Sequence, residues 1–376
     1  MNKQIKVLVV IGTRPEAVKM APLVQELRRR PQVNCLVCAT AQHRQMLDQV
    51  LNLFKITPDI DLDLMQPNQS LAKVTSRIFD TLDPVIAQEK PDWILAQGDT
   101  TTVMVASVLA YYHRVKFGHV EAGLRTGDNY APFPEEVNRR IASVIGYAHF
   151  APTSTSRDNL LRENIPAEQI VVTGNTVIDA LRQVAELACP QEISDLIKAA
   201  NGKRIILVTA HRRENFGKPL EAIFAALRQL ADCYPESVQI VYPVHLNPNV
   251  QEPAQRILGG HPNITLLPPL DYLPMVHLMK QSTLILTDSG GLQEEAPGFG
   301  KPVLVLRDVT ERPEGIAAGT VRLAGTNTAA IVAMASKLLD DPTEYDLMAH
   351  SANPYGDGLA SKRIADHIVQ DALKNA

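Results

Sequence analysis

The sequence predicts an α/β protein built from two parallel-sheet domains facing one another across a central cleft. Three observations carry that expectation. Short apolar runs alternate with helical patterns from Ile5 onwards, as they do in strand–helix units of a parallel sheet. The alternation restarts after a polar stretch at 188–203, and the restart repeats the opening: strand, basic loop, helix. Glycines, carboxylates, histidines and arginines gather just after the apolar runs, and ligands of such sheets bind beyond the carboxyl ends of the strands.

The bulk numbers agree with this class. A chain of 376 residues with 45% hydrophobic and 21% charged content fits two folded domains of ordinary size. The net charge of −4 speaks against a general nucleic-acid binder. No apolar stretch approaches the roughly 20 residues that span a bilayer. Val7–Ile11 is too short for a signal-peptide core and runs straight into Gly12-Thr13-Arg14-Pro15-Glu16, so it reads as the first strand and the protein as cytoplasmic. Four cysteines in this length do not make a disulfide framework. Cys35 and Cys38 stand in an apolar strand pattern with no second ligand pair at metal spacing, which reads as two buried thiols.

In the first half, strands are expected at Ile5–Ile11, Val33–Thr40, Trp93–Gln97, Lys116–Val120 and, last, Phe150–Thr153. Helices are expected at Pro15–Arg30, Arg44–Phe54, about Leu71–Gln88, Thr101–His113 and Ser156–Glu163. In the second half, strands are expected at Ile205–Thr209, Val238–Tyr242, Ile264–Leu267, Leu284–Leu286 and Val303–Leu306. A final helix at about Ser361–Lys374 follows a Gly/Pro break and is expected to cross back. The domains are therefore drawn as 1–172 with 359–376, and 173–358.

The strand ends carry the candidate chemistry. Arg14 and Lys19 follow the first strand and suit a phosphate. Asp99 follows Trp93–Gln97, where capping the next helix is the plainer reading. Glu121 ends Lys116–Val120 without an obvious structural purpose, and Glu135 opens a helix after a Pro-rich loop. Carboxylates gathered on one edge suit acid and base work, and a divalent metal is the lesser option because no histidine-rich ligand set accompanies them. In the second half, Thr287-Asp288-Ser289-Gly290-Gly291 joins a strand to a helix and points unpaired amides at one spot, where a phosphate is the natural guest. Glu295 follows about one and a half turns later, within reach of sugar hydroxyls. His211, His245 and Arg312 fall on the same edge, and His211 has Arg212 and Arg213 beside it.

Together the motifs are specific. GTRPE at 12–16, AQHR at 41–44, QGDTTT at 97–102, HVEAGLRT at 119–126, FPEE at 133–136, GNTVID at 174–179, HRREN at 211–215, HLNP at 245–248, DSGGLQEEAP at 288–297 and TERPE at 310–314 run in order through nearly the whole chain. In them the chain resembles the non-hydrolysing UDP-N-acetylglucosamine 2-epimerases. The resemblance implies two Rossmann-like domains in a glycosyltransferase-B-like arrangement, a homodimer, and no metal or nicotinamide cofactor. It implies conversion of UDP-GlcNAc to UDP-ManNAc for bacterial surface polysaccharide. By motif, Arg14, Lys19, His211, Ser289, Gly290, Gly291, Glu295 and Arg312 would bind the UDP part, with Leu270 and Met275 bordering the uracil. Asp99, Glu121 and Glu135 would exchange protons, with His211 stabilising the leaving group. Gln42, His43, Arg212 and His245 are candidates for a second, activating UDP-GlcNAc. The same residues leave open a hydrolysing epimerase, a retaining glycosyltransferase and a non-catalytic UDP-sugar sensor.

Overall fold

The chain forms two parallel sheets, each with helices on its faces. A computed structural model describes residues 4–40, 44–64 and 69–374. By internal contacts it splits into two compact units, residues 1–180 with 355–376, and 181–354. The first unit thus takes in 173–180 and 355–358 as well as the stretches drawn from the sequence. Its returning segment is tied down by Asp179, whose carboxylate accepts from the amides of Ala360 (3.2 Å) and Ser361 (2.8 Å).

The first unit's sheet has seven strands: β1 (Ile5–Ile11), β2 (Val33–Ala39), β3 (Ile60–Asp61), β4 (Trp93–Gln97), β5 (Lys116–Val120), β6 (Ala148–Ala151) and β7 (Ile170–Val172). Their order is β3-β2-β1-β4-β5-β6-β7, and every pairing is parallel. Central strands of such a sheet are covered on both faces and read as unbroken apolar runs. Accordingly Val7–Ile11 and Trp93–Gln97 are buried at every position. Leu8 and Ile94 pack with Val105, Leu109 and Ile78 from the overlying helices; truncating either to alanine costs about 2–5 kcal/mol. The second unit's sheet has six strands: β8 (Arg204–Thr209), β9 (Val238–Pro243), β10 (Ile264–Leu267), β11 (Leu284–Thr287), β12 (Val303–Val305) and β13 (Val321–Leu323), ordered β10-β9-β8-β11-β12-β13.

Two expectations need correction. Phe150–Thr153 is not the last strand region of the first sheet: β6 is followed by β7, whose half-exposed edge gave too weak an apolar signal. The stretch 188–203 is not featureless, because Gln191–Ala199 is helical; of its short apolar stripe only Ile193 is fully buried. Cys35 and Cys38 are buried free thiols on β2, and burial pushes both up to about 12.

The strand order fixes where ligands can bind. In the first sheet the order reverses between β1 and β4, in the second between β8 and β11. Connections leave these neighbouring strands toward opposite faces, which opens a crevice at their carboxyl ends. The GTRPE and QGDTTT segments border one crevice, HRREN and DSGG the other.

Candidate active site

At the first crevice the loop after β1 is pinned by Glu16. Its Oε2 accepts from the amides of Gly12 and Thr13, the latter at 3.1 Å. A β-carbon at Gly12 would lie 2.6 Å from Thr102 Oγ1 and 2.9 Å from Thr40 Oγ1, so only glycine fits. Glu16 is 2% exposed. Burial pushes its carboxyl up to about 7, against hydrogen bonds from the Thr100 side chain and the two amides, and the Asp99 charge adds to the rise.

Glu121, just past β5, is 6% exposed. Lys19 Nζ reaches both carboxylate oxygens, at 2.6 and 2.7 Å. Gln97 Nε2 donates to Oε2, and Asn175 Nδ2 to Oε1 at 3.2 Å. The backbone of Glu121 is left-handed, with φ 65°. That conformation costs a non-glycine residue roughly 1 kcal/mol or more and marks functional positions more often than others.

Asp99 does not cap the following helix. Thr100 holds the N-cap position, its hydroxyl accepting from Val103 N at 3.4 Å. The Asp99 carboxylate is instead gripped by Arg139, through Nη2 at 2.6 Å and Nε at 2.9 Å. Asn138 Nδ2 donates to the Asp99 carbonyl at 2.9 Å, and His119 Nε2 donates to the Gly98 carbonyl at 2.7 Å. Burial pushes His119 down to about 4, so at neutral pH it is an uncharged strut. The two glutamates of FPEE divide their work. Glu136 is fully buried, accepts from the amides of Thr126 (3.2 Å) and Gly127 (3.3 Å), and pairs with Arg139. Glu135 begins the helix Glu135–Ile145 and keeps one buried oxygen, Oε2, without a hydrogen-bond partner among the described residues.

At the second crevice Asp288, wholly buried, directly follows β11. Its Oδ2 accepts from the amides of His211 and Arg212, both at 2.7 Å, and lies 3.4 Å from Asn215 Nδ2. Below it Thr209 and Thr287 share a hydrogen bond of 2.5 Å, and the Thr287 hydroxyl takes the Ser289 amide at 2.9 Å. Ser289 is extended and precedes the helix Gly290–Glu295, whose first amides have no intrahelical acceptor. Neither Gly290 nor Gly291 needs a left-handed backbone. A β-carbon at Gly290 would stand 3.6 Å from Glu311 and 3.9 Å from Arg212, so glycine serves here to leave the amides bare.

Among the other candidates, Arg14 is the half-buried first residue of the helix Arg14–Arg28. Arg312 Nε is held by Glu294, and Thr310 Oγ1 donates to Gln293 at 2.6 Å, fixing TERPE against the Gly-Gly helix. Glu295 is buried in that helix. Leu270 lies half-buried before the helix Tyr272–Gln281 and Met275 in its first turn. The His211 and His245 rings stack with centroids 5.2 Å apart, and Arg212 Nη2 lies 3.7 Å from Glu311. Gln42 and His43 fall outside the described residues. Among those described, no group of three or more His, Cys, Asp or Glu is arranged to hold a metal ion, and no helix is long and apolar enough to cross a membrane.

A family model described as UDP-N-acetylglucosamine 2-epimerase matches residues 25–369. A UDP-N-acetylglucosamine 2-epimerase of Salmonella typhimurium is 56% identical over 365 residues, 96% of this chain and 97% of its own. The chain belongs to the UDP-N-acetylglucosamine 2-epimerase family. Its fold is shared by a Listeria monocytogenes protein of 48% identity, with a TM-score of 0.93 over 99% of this chain and 98% of that one. It is shared too by the Neisseria meningitidis UDP-GlcNAc 2-epimerase solved with UDP-GlcNAc bound: 50% identity, TM-score 0.88, 97% of this chain and 100% of the other.

Several residues packed around the candidates escaped the sequence reading. Gln97, Arg139, Asn175 and Asp288 each hold a candidate residue in place, and Glu16 pins the loop that leads into Arg14. Glu16 was open to detection, since a Glu three residues past Thr13 is half of a capping box. Gln97 and Asn175 stood inside quoted motifs but had no spacing that ties them to Glu121.

Proposed function

We propose that this chain interconverts UDP-GlcNAc and UDP-ManNAc by inversion at C2, without hydrolysis and without a metal or nicotinamide. The observation that supports the reading is what stands at the two crevices: the gripped carboxylates of Asp99 and Glu121, with Glu135 opening the helix that carries Arg139, in one unit, and His211, the bare amides at Ser289–Gly291 and Arg312 in the other. The sugar C2 proton is weakly acidic, so direct deprotonation is unfavourable. Elimination avoids that difficulty. A carboxylate takes the C2 proton as the C1–O bond to UDP breaks, giving a 2-acetamidoglucal and free UDP. A proton then returns to C2 from the opposite face, and UDP re-adds at C1.

Negative charge grows on the diphosphate as the bond breaks, so His211, Arg14 and the amides at Ser289–Gly291 favour departure. Lys19, Gln97 and Asn175 fix Glu121, and Arg139 fixes Asp99, so that neither carboxylate must reorient during the reaction. Glu295 meets the ribose, and Leu270 and Met275 border the base. Arg212 and His245 remain candidates for an activating second nucleotide sugar. A homodimer is in keeping with Tyr111 (68% exposed), Tyr112 (67%) and Val144 (82%) standing outward on neighbouring helices. A cytoplasmic supply of UDP-ManNAc for surface polysaccharide is the setting this chemistry suits.

An NMR time course of UDP-GlcNAc with the purified protein in D2O tests the route. UDP-ManNAc carrying deuterium at C2 is expected. Product without solvent hydrogen at C2 overturns the elimination, and free ManNAc with UDP makes the enzyme a hydrolysing one.

A further inference from the structure

Asp288 has two oxygens with different surroundings. Oδ2 is saturated by the His211 and Arg212 amides at 2.7 Å. Oδ1 is equally buried, has no hydrogen-bond partner among the described residues, and lies 3.6 Å from His211 Nδ1. That separation is just beyond hydrogen-bond length. A small turn of the imidazole closes it, and contacts of this kind tighten when a ligand docks. A buried carboxylate oxygen left unmatched is costly, and His211 Nδ1, 3.6 Å away, is the remedy. The other groups facing the ring are His245, stacked nearly parallel at 5.2 Å so that its in-plane lone pair is not aimed at Nδ1, and Arg212 of its own loop, whose guanidinium has no acceptor.

We propose that Asp288 is a positioning residue for the epimerase reaction: it fixes His211 with its proton on Nδ1, so that Nε2 is turned to the diphosphate and is the nitrogen that takes a proton from solvent as the substrate docks and returns it to solvent after UDP re-adds. This rests on the reading of His211 as a leaving-group residue. Neutral imidazole protonated on Nδ1 presents Nε2 as an acceptor. When the diphosphate docks, Nε2 takes a proton from solvent; both nitrogens are then donors, Nε2–H bonds the phosphate oxygen that gains charge as the C1–O bond breaks, and Asp288 balances the imidazolium from behind.

Asp288→Asn separates this role from scaffolding. The amide oxygen can still take the two loop amides, while its NH2 group faces Nδ1 and demands an acceptor there. NMR of protein carrying 15N-labelled histidine, with the His211 signals identified through His211→Gln, reads the tautomer. The wild type is expected to show the proton on Nδ1, and Asp288→Asn to move it to Nε2. Turnover of the variant is expected to fall by roughly tenfold to a hundredfold, with UDP still bound in calorimetry. A wild-type His211 protonated on Nε2 overturns the proposal even if the variant fails to fold, and so does an unchanged tautomer in a folded variant. Full activity of His211→Gln would instead remove the leaving-group role, a separate result from either tautomer outcome.

Discussion

The loops after β1 and β8 solve the same mechanical problem in different ways. Each leaves its strand where the sheet order reverses, and each must hold two successive amides that have no partner in the sheet. In the first unit Glu16 takes the amides of Gly12 and Thr13 from within the same loop and helix start. In the second unit Asp288 takes those of His211 and Arg212 from a neighbouring strand 77 and 76 residues away. The local solution stiffens one loop. The distant one ties the basic loop to the Ser-Gly-Gly turn, so His211 and the bare amides move as one body. The anion cradle proposed here would need the second arrangement, because donors aimed at a developing charge help only if they are already in place.

That contrast can be broken experimentally, starting from its largest expected effect. Glu121→Gln, in the first unit, should lower kcat by about 10²–10⁴-fold while calorimetric UDP affinity is nearly unchanged. An equal loss in UDP affinity would mean the two units do not divide proton transfer from diphosphate binding.

Next comes Glu16. Its carboxyl is raised from 4.5 to about 7 by burial, so the folded state prefers the protonated form. Stability from that preference is complete below pH ~4.5 and is lost as pH rises through ~7. Glu16→Gln keeps an acceptor for the amides but cannot ionise. Across this window the variant should gain on the wild type by roughly 3 kcal/mol, read by denaturant unfolding at successive pH values. Parallel curves would mean Glu16 is charged throughout.

A smaller effect tests the cradle. Gly290→Val adds bulk in front of the turn, where the nearest side-chain atoms stand 3.6 Å and 3.9 Å from the new β-carbon. UDP should bind at least about tenfold more weakly, some 1.4 kcal/mol, with thermal stability almost unaltered. Unchanged binding would remove the Gly-Gly amides from the phosphate site. Smallest of all, Thr100→Ala should cost about 1 kcal/mol as a lost helix cap, detectable as a lower denaturant midpoint; no change would return the capping role to Asp99.

Much of this molecule was legible from its residues because the signals are local. Apolar runs such as Val7–Ile11 must be buried strands, and Pro15 and Pro134 sit where helices begin. The candidate side chains follow the strands at whose ends parallel sheets bind ligands. β7 was missed as a sheet strand because its residues are half-buried or exposed, and an edge needs little apolar character. Capping stood as the plainer reading of Asp99 because its partner Arg139 lies 40 positions on and no periodicity announces that contact.

By itself, then, the sequence determined the strand–helix alternation, the two sheets and the chemical identity of the residues at their edges, since burial and turn chemistry act over a few neighbouring positions. Only the tertiary structure decided which of those residues are gripped and by what: Lys19 and Asn175 on Glu121, Arg139 on Asp99, Asp288 on the His211 loop. These contacts join strand ends remote in the chain, and their geometry exists only once the sheet order has brought β1 beside β4 and β8 beside β11.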